Sequence, residues 1–422
     1  MKILVVGGGG REHALVWKLS QSPLAEKIFC APGNAGTAEI AETVVIKADD
    51  LDGICKFVEE QQIDLTVIGP EAPLTAGLAD RLAAAGHKVF GPQKVAAQLE
   101  GSKEFAKDLL KKYAIPTAAY ECFSDLSEAL RYIESAPLPM VIKADGLAAG
   151  KGVVIAEDMA TAKQTAADML EGNIFGSAGS RIVVEEFLSG EEVSILAFCD
   201  GEHIVPMVSA QDHKRAYDND AGPNTGGMGA YSPAPVYTPE LAKFVGKHIL
   251  QATLAALKAE GIIYKGILYA GLMITNKGPQ VLEFNCRFGD PETQAVLARL
   301  ESDLVEIMLS VIDGTLDAAE MIWSEKSSVC VVVAAGGYPD SYEKGDIING
   351  LDAAAKTGAT VFHAGTKISG NDIVTDGGRV LSITALGDNT AAAIANAYEA
   401  AAKIDIKNAF YRRDIGKKAL NR

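Results

Sequence analysis

The chain has 422 residues, of which 48% are hydrophobic and 22% are charged, and it contains 42 glycines. At roughly 100 to 200 residues per domain, this length predicts several domains with sizeable cores, and the composition excludes disordered, collagen-like and membrane-spanning classes. The formal net charge of −16 disfavours binding of nucleic acid or of an anionic membrane along an extended surface. Any anionic ligand must therefore be held by local groups.

The cysteines and the N-terminal sequence indicate the cellular compartment of the protein. Six cysteines are scattered along the chain without a C-x-x-C pair, so neither a disulfide framework nor a zinc site is expected. The first seven residues run straight into a strand and a glycine turn, without the arrangement of a signal peptide, and no apolar run approaches about 18 residues. These features predict a protein of the reducing cytoplasm.

Residues 1 to about 100 alternate short β-branched runs with helical stretches, which predicts βαβ units on a parallel sheet. The expected strands are 3–6, 27–30, 43–46, 65–68 and 88–90. Glycine or proline turns follow four of these strands. In open α/β sheets, turns at the carboxyl ends of the strands face the ligand crevice.

The rest of the chain predicts a mixed organisation, so that the whole is an α/β and α+β multidomain protein without internal repeats or a long linker. Helices are expected at 102–113, 161–170 and 390–402, and strands at 140–143, 153–156, 181–187, 193–200, 267–275, 280–285, 329–334 and 380–385. We expect these pieces to pack as one body.

The glycine run after the first strand has the outline of a dinucleotide-binding fingerprint but fails its test at two points. The third glycine position holds Glu12 or His13, depending on where the count starts, and the second strand ends without the acid that holds a ribose hydroxyl. A nicotinamide cofactor is therefore not expected. The turn either presents backbone N–H groups to a phosphate or is simply a tight strand-to-helix turn.

A second glycine-rich segment, residues 144–152, resembles a Walker phosphate loop. It is one residue too short, has Gly152 where a metal-binding Ser or Thr belongs, and runs into a β-type sequence instead of a helix. A glycine hairpin that closes over phosphates is the better interpretation. Lys143 and Lys151 could then each place an ammonium near a polyphosphate, although exposed lysines are also common in hairpins.

A third segment places clustered acids at the end of the strand expected at 181–187. Backbone groups of residues 186–188 suit an adenine edge, and a nearby carboxylate suits ribose hydroxyls. The alternative is a solvated acidic face, which is the more usual meaning of such a run.

A fourth segment, residues 280–292, carries polar residues that alternate with apolar ones. Period-two geometry predicts one face with Val281, Glu283, Asn285 and Arg287, and a packed face with Leu282 and Phe284. The adjacent hard oxygens of Glu283 and Asn285 suit magnesium, and Arg287 offers a fork for phosphoryl or carboxylate oxygens. Any half-exposed strand shows a similar alternation.

A fifth segment, residues 211–233, is expected to be a long loop dense in small and polar residues. Loops of this length without hydrophobic periodicity are usually functional or disordered. Its mixed charges followed by glycines suit a site that holds an amine, a carboxylate and a phosphate together. A mobile surface loop is the alternative.

Taken in order, these segments resemble the ATP-grasp carboxylate–amine ligases, and most closely the phosphoribosylamine–glycine ligase (glycinamide ribonucleotide synthetase) family of purine biosynthesis. The most specific stretches are 213–215, 222–231 and 283–294, and the resemblance spans essentially the whole chain. It implies a parallel-sheet pre-ATP-grasp domain at 1–101, a two-lobed ATP-grasp domain at 102–327 with its smaller lobe at about 115–188, and a small β-rich C-terminal domain at 328–422.

The resemblance also implies the chemistry. ATP, as co-substrate, would phosphorylate the carboxylate of glycine, and the amine of 5-phosphoribosylamine would attack the glycyl phosphate with release of phosphate. The metal would be Mg²⁺ or Mn²⁺. We expect a monomer whose partners are these small molecules, with neither nucleic acid nor a membrane.

The family pattern carries functional residues onto this sequence in four groups. Nucleotide contacts are expected from Lys103, Lys143, Gly146, Gly150, Lys151, Gly152, Glu185, Glu186, Phe187, Leu188, and Glu191 or Glu192. The metal ligands are Glu283 and Asn285. Phosphoribosylamine is expected at Gly8, Gly10, Arg11, Glu12, Asn34, Gly36, Thr37, Pro70 and Glu71. The reacting ends are expected near Asp212, Lys214 and Arg287, with Asn224, Thr225, Gly226 and Gly227.

The sequence departs from the family pattern at one point, and three other interpretations of its function stay open. The strand before the Glu-x-Asn strand, residues 268–274, carries no acid, so the number of metal ions is open. A sibling ATP-grasp enzyme, such as a purine-pathway carboxylase subunit or biotin carboxylase, would share the grasp but not the 222–231 sequence. An oxidoreductase would explain only the first glycines, and a non-catalytic nucleotide-binding module would require an inert 211–232 segment.

Overall fold

The computed structural model describes residues 1–147, 152–172 and 179–421. The N-terminal part forms one sheet whose strands are β1 (Lys2–Gly7), β2 (Lys27–Pro32), β3 (Glu42–Thr43), β4 (Leu65–Ile68) and β5 (Val89–Phe90). The order is β3-β2-β1-β4-β5 and every pairing is parallel, which confirms the predicted sheet. The strand predicted at 43–46 is wrong beyond Thr43, because Val45 is fully exposed and packs on nothing that would extend the edge strand.

Helices connect these strands, namely α1 (Gly10–Leu19), α2 (Leu51–Gln61), α3 (Glu71–Ala76) and α4 (Leu78–Ala84). The turn between β1 and α1 requires glycine. Gly7 has φ of +123°, and a Cβ atom there would lie 2.6 Å from the side chain of Glu12. Because the strands are parallel, their carboxyl ends place this turn beside those after β2 and β4 at one edge of the sheet.

Two helices, α5 (Gln98–Gly101) and α6 (Lys103–Lys112), lead into a second sheet. The side chain of Ser102 caps α6 by accepting from the N–H of Phe105 at 3.1 Å. The next elements are β6 (Tyr120–Phe123), α7 (Leu126–Ser135), β7 (Met140–Ala144), β8 (Val153–Ala156), α8 (Met159–Leu170) and β9 (Ile182–Glu186). The strands form an antiparallel sheet in the order β6-β9-β7-β8, and apolar residues of α7 and α8 cover one of its faces.

The segment predicted as one long loop contains short strands. The elements in this part are β10 (Glu191–Asp200), β11 (Ile204–Pro206), β12 (Gln211–Asp212), β13 (Arg215–Tyr217), β14 (Ala221–Asn224) and β15 (Gly229–Ser232). The prediction for 211–233 is therefore wrong in detail, because β13 and β14 form a hairpin and β12 pairs with β15. Both pairings depend on backbone groups and on contacts distant in sequence, so the residue pattern did not reveal them.

A third sheet faces the second across the middle of the molecule. After α9 (Pro239–Val245) and α10 (Gln251–Ala259), the chain adds β16 (Lys265–Thr275), β17 (Gly278–Asn285), α11 (Glu292–Leu297) and α12 (Leu304–Asp313). The antiparallel order is β11-β10-β16-β17. Its two faces contribute to two different hydrophobic cores, both of which include residues of the N-terminal sheet.

The last part of the chain packs against the 211–232 segment. Its elements are β18 (Ser327–Ala334), α13 (Leu351–Ala355), β19 (Thr360–His363), β20 (Thr366–Ser369), β21 (Asp372–Thr375), β22 (Arg379–Gly387) and α14 (Thr390–Ala401). The sheet order β12-β15-β18-β22-β19 joins strands from both sides of the boundary predicted at 327/328, which stays a prediction. In the described parts of the chain, no helix is both long enough and apolar enough to cross a membrane.

Candidate active site

A cleft of about 1060 Å³ is lined by residues of the second and third sheets, the 211–232 segment and α5 and α6. Most of the residues predicted to bind ligands meet along its wall. Those that line it are Arg11, Glu71, Lys103, Lys143, Gly152, Glu185, Glu186, Phe187, Leu188, Glu191, Glu192, Asp212, Lys214, Asn224, Thr225, Gly226, Glu283, Asn285 and Arg287. The cleft thus brings together residues that are up to about 280 positions apart in the sequence.

The remaining predicted residues lie elsewhere. Gly8, Gly10, Glu12, Asn34, Gly36, Thr37 and Pro70 belong to the turns and helix starts at the carboxyl edge of the first sheet. Gly146 follows β7, and its carbonyl accepts from Lys103 Nζ at 3.0 Å. Gly227 lies between β14 and β15. Gly150 and Lys151 lie outside the described residues.

A buried carboxylate organises the lysines of the second sheet. Glu185 receives ion pairs from Lys107 at 2.8 Å and from Lys143 at 2.9 Å, and all three side chains are less than 10% exposed. Burial alone would raise the pKa of Glu185, but the two ammonium groups outweigh it and hold the pKa below its usual value. Burial lowers the pKa of Lys107 to about 8. The Glu185 carboxylate therefore faces the lysines, and it is not directed at a nucleotide base.

The adenine hinge is predicted at the end of β9 and in the residues that follow it. The N–H of Glu186 is already used, since it donates to the carbonyl of Ala119 at 2.8 Å. Phe187 is 37% exposed and lines the cleft together with Leu188. The Glu186 N–H is therefore not a donor for an adenine edge, whereas the backbone of Phe187 and Leu188 lies at the cleft.

The face of the third sheet that looks into the cleft is fixed by strand register. Ser194 lies opposite Gly271, and Gly271 lies opposite Glu283, so all three share one face. Alternation along β10 places Glu192 on this face and Glu191 on the other, although both residues line the cleft. The register thus favours Glu192 as the acid next to Glu283.

A β-bulge changes the predicted alternation on β17. Gly271 pairs with Glu283 but Leu272 pairs with Val281, which leaves Leu282 as the extra residue. Val281 is consequently buried in the core beside Phe284, and Leu282 lines the cleft. The predicted placement of Val281 and Leu282 is therefore wrong, because a bulge cannot be read from residue types.

Glu283 and Asn285 lie two residues apart on β17 and direct oxygens into the cleft. Asn285 Oδ1 accepts from Arg287 Nη2 at 3.2 Å, which leaves a second lone pair for another partner. Within the described ranges there is no cluster of three or more His, Cys, Asp or Glu side chains that would hold a metal without help. The pair suits a cation that also takes oxygens from a bound phosphate.

Asp212 and Lys214 form a charged pair at the centre of the cleft. Lys214 Nζ lies 3.0 Å from Asp212 Oδ2 and 3.5 Å from Glu192 Oε2. Enclosure acts to lower the pKa of Lys214, but the two carboxylates outweigh it and raise the pKa well above its usual value. Lys214 is therefore a permanent cation that suits a phosphoryl or carboxylate group.

Arg287 is held by carboxylates from two other elements. Its guanidinium contacts Glu71 at 3.1 Å and Glu100 at 2.8 Å. Burial acts to raise the pKa of Glu71, but Arg287 and Arg11 lower it to about 2. Arg287 therefore joins the N-terminal sheet to the third sheet, and its predicted role at the reacting ends stays a prediction.

Two of the predicted phosphoribosylamine contacts are engaged within the protein. Glu12 is buried and accepts from the N–H of Gly9 at 2.7 Å and from Arg11 Nε at 2.6 Å. Asn34 donates to the carbonyls of Gly8 at 3.0 Å and His363 at 2.8 Å. These side chains hold the turns in shape, so a ligand there would meet mainly backbone groups.

Eight further charged residues in the cleft were missed by the sequence reasoning. They are Lys107 beside Glu185, Glu100 beside Arg287, Arg379 from the start of β22, Arg215, Asp220, Asp290, Glu292 and Lys418. Glu292 accepts from the hydroxyl of Tyr269 at 2.8 Å, and burial with the nearby charge of Asp212 raises its pKa. Only Lys107 had a usable signal, because it lies one helical turn after Lys103.

The buried ring of His213, between Asp212 and Lys214 in the sequence, yields a prediction for stability. The ring is 2% exposed, neither nitrogen has a hydrogen-bond partner among the described residues, and burial lowers its pKa to about 4. An unfolded chain binds a proton here below about pH 6.5, whereas the folded chain does not until about pH 4, so stability falls as pH decreases between these values.

His213→Phe changes the free energy of unfolding, and we expect that change to be roughly 2 kcal/mol more stabilising at about pH 5 than at about pH 7.5. Urea unfolding of both proteins at both pH values measures this difference. An equal difference at the two pH values would contradict a buried neutral ring.

The sequence matches the family described as phosphoribosylglycinamide synthetase in three parts. The N domain matches residues 1–100, the ATP-grasp (A) domain residues 101–293 and the C domain residues 328–418. A phosphoribosylamine–glycine ligase of Allochromatium vinosum is 56% identical, and one of Escherichia coli K12 is 52% identical. Each alignment covers 100% of this chain and 99% of the relative.

Solved structures agree with these matches. The phosphoribosylamine–glycine ligase of Thermotoga maritima has a TM-score of 0.86 at 34% identity, over 98% of this chain and 100% of the other. Biotin carboxylase of Campylobacter jejuni has a TM-score of 0.75 at 13% identity, over 100% of this chain and 95% of the other, which shows a shared fold alone. The predicted fold class is confirmed, and the chain belongs to the phosphoribosylglycinamide synthetase family.

Proposed function

We propose that this protein joins glycine to 5-phosphoribosylamine in purine biosynthesis, converting ATP to ADP and phosphate and forming glycinamide ribonucleotide. The observation that carries the proposal is the meeting of Lys143, the Glu283–Asn285 pair and Lys214 in one cleft of about 1060 Å³. Relatives at 52% and 56% identity over the full length bear the name of this ligase. The family uses ATP and a divalent metal.

ATP binding draws on both lobes. Lys103 and Lys143 supply cations near the phosphates, and the backbone at Phe187 and Leu188 pairs with adenine. We assign the ribose contact to Glu192, because it shares the face of Glu283 while Glu191 is directed to the other face. The chain thus positions the nucleotide with few but well-placed charges.

Glu283 and Asn285 would hold Mg²⁺ or Mn²⁺, which supplies neutralisation of phosphate charge when bound. The donor set fits such an ion, because both side chains offer hard oxygens on one face of the sheet. The charges of Glu283 and Lys143 both act on Lys103, so the proposed metal ligand and the two lysines lie close together. The protein residues position the phosphates next to these oxygens.

Lys214 and Asp212 serve the reacting ends. A carboxylate is a poor acyl donor, so transfer of the γ-phosphoryl group to glycine creates a leaving group, and ADP departs. The amine of 5-phosphoribosylamine then forms the C–N bond at the acyl carbon as phosphate leaves. Lys214 stabilises the negative charge that moves during both steps, and no covalent bond to the protein is needed.

Release of ADP in the presence of ATP, Mg²⁺ and freshly generated 5-phosphoribosylamine tests the proposal. We expect release to require glycine, and we expect bicarbonate not to replace glycine as it would for a carboxylase of the same fold. Release that ignores glycine, or that bicarbonate supports equally well, would refute the assignment. Repeating the assay with Mn²⁺ alone decides between the two metals.

We also infer a monomer located in the cytoplasm. The six cysteines are all unpaired, in agreement with a reducing compartment. Light scattering on the purified protein with and without ATP measures the oligomeric state.

A further inference from the structure

Residues 412–418 lie against the β13–β14 hairpin, and we call them the 412–418 brace. Arg412 is 1% exposed and is among the largest fully buried side chains of the described chain. Its guanidinium donates to both carboxylate oxygens of Asp414 at 2.8 Å, to Asp220 Oδ1 at 2.9 Å and to the carbonyl of Arg215 at 3.0 Å. One buried arginine therefore connects the brace to Arg215, where β13 begins, and to Asp220, which directly precedes β14.

Further bonds run between the two segments in both directions. The N–H of Asn219 donates to Asp414 Oδ2 at 2.8 Å, and the N–H of Arg413 donates to Asp218 Oδ1 at 2.7 Å. Lys418 adds an ion pair to Asp220 at 2.7 Å. Because an isolated two-stranded hairpin is marginally stable in water, these contacts supply order that β13 and β14 lack by themselves.

The hairpin is connected directly to the catalytic cleft. Lys214 precedes β13, and Thr225 follows β14. The N–H and the Oγ1 hydroxyl of Thr225 both donate to the carbonyl of Lys214 at 2.8 Å. A displacement of the hairpin therefore moves the backbone of Lys214 and, with it, the ammonium that pairs with Asp212.

The brace also lies close to His213, the residue between Asp212 and Lys214. The pKa of His213 is lowered by burial first and then by the positive charges of Arg412 and Lys418. Lys418 and its partner Asp220 line the cleft, whereas Arg412 does not. Arg412 therefore acts from outside the cleft on a segment that lines it.

We infer that the 412–418 brace sets the position of Lys214 in the cleft, and that Arg412 is a positioning residue for the ligase reaction. The inference rests on the proposed function of Lys214. A displacement of about 1 Å at a reacting centre can cost roughly 100-fold in rate, so Arg412, which does not line the cleft, can govern catalysis without touching a substrate.

Arg412→Lys tests this, because lysine keeps the charge but cannot reach Asp414, Asp220 and the Arg215 carbonyl together. We expect kcat to fall roughly 10-fold or more and the KM of glycine to rise, with an unchanged dissociation constant for ATP. The matched control is Arg299→Lys, a buried arginine that bonds Ser232 at 2.8 Å and lies outside the cleft. It should lose stability but keep wild-type kcat at a temperature where it is folded.

Asp414→Asn is the second variant, in case Arg412→Lys does not fold, because Asp414 pairs with Arg412 and does not line the cleft. Its control is Asp303→Asn, since Asp303 also accepts hydrogen bonds from backbone N–H groups, is likewise half-buried and lies outside the cleft. A kcat loss in Asp414→Asn with ATP binding intact supports the inference. Wild-type kinetics, an equal loss in the control, or a parallel loss of ATP binding would overturn it. Absence of glycine-dependent ADP release in the wild-type protein would instead refute the proposed function.

Discussion

Glu283→Gln is expected to lower kcat/KM roughly 100-fold, since a ligand that neutralises phosphoryl charge contributes several kcal/mol to the transition state. The amide keeps the size and one oxygen of the side chain but loses its charge. Within the described chain Glu283 forms no ion pair and acts on the charge of Lys103 only at a distance, so folding should be affected little. Turnover measured over a series of Mg²⁺ concentrations should show that more metal is needed for half-maximal rate.

Glu121→Gln is the matched control, because Glu121 is an exposed strand glutamate on β6 outside the cleft. We expect it to leave both the rate and the metal dependence unchanged. If Glu283→Gln kept its rate at limiting Mg²⁺, Glu283 would not be a ligand of the catalytic metal, and the assignment of Asn285 would fall with it.

The regular parts of the fold were predictable because local patterns determine them. The strands at 65–68 and 153–156 have the predicted bounds, since each is a short β-branched run between turn residues. The first sheet followed from the alternation of such runs with helices. The strand at 43–46 failed because it lies at a sheet edge, where Val45 gains nothing from packing.

The 211–232 segment could not be predicted because its order comes from distant contacts. Its strands pair through backbone hydrogen bonds, and β15 also pairs with β18, which lies about 100 residues further along the chain. The residues of the segment are small and polar, so they carry no hydrophobic periodicity that would indicate strands.

The sequence pointed to residues whose type itself carries chemistry, such as Glu283, Asn285 and Lys143, and the structure places these three along one cleft, while their roles stay predictions. The partners of these residues could not be predicted. Glu100 contacts Arg287, and Arg379 donates to the carbonyl of Gly226, across more than 150 positions of sequence. Such pairs depend on how separate sheets pack, which single-sequence patterns do not encode.

Lys107 and Lys143 both pair with the buried Glu185, but each lysine has a different second neighbour. Lys143 also donates to the carbonyl of Leu282 at 3.1 Å, next to the proposed metal ligand Glu283, and its charge acts on Lys103. Lys107 also lines the cleft, but its second hydrogen bond goes to Thr117 Oγ1 at 2.8 Å. Loss of either lysine leaves Glu185 with one cation and should cost roughly 2 to 4 kcal/mol of stability.

Lys143→Met and Lys107→Met should therefore be destabilised alike but differ in catalysis. Only Lys143→Met removes a cation from the phosphates, so its kcat/KM for ATP should fall roughly 10- to 100-fold further than that of Lys107→Met. Urea unfolding gives the two stabilities, and initial rates with varied ATP at a temperature where both variants are folded give the two specificity constants. Equal kcat/KM values in the two variants would show that Lys143 supports the fold through Glu185 and does not bind the nucleotide.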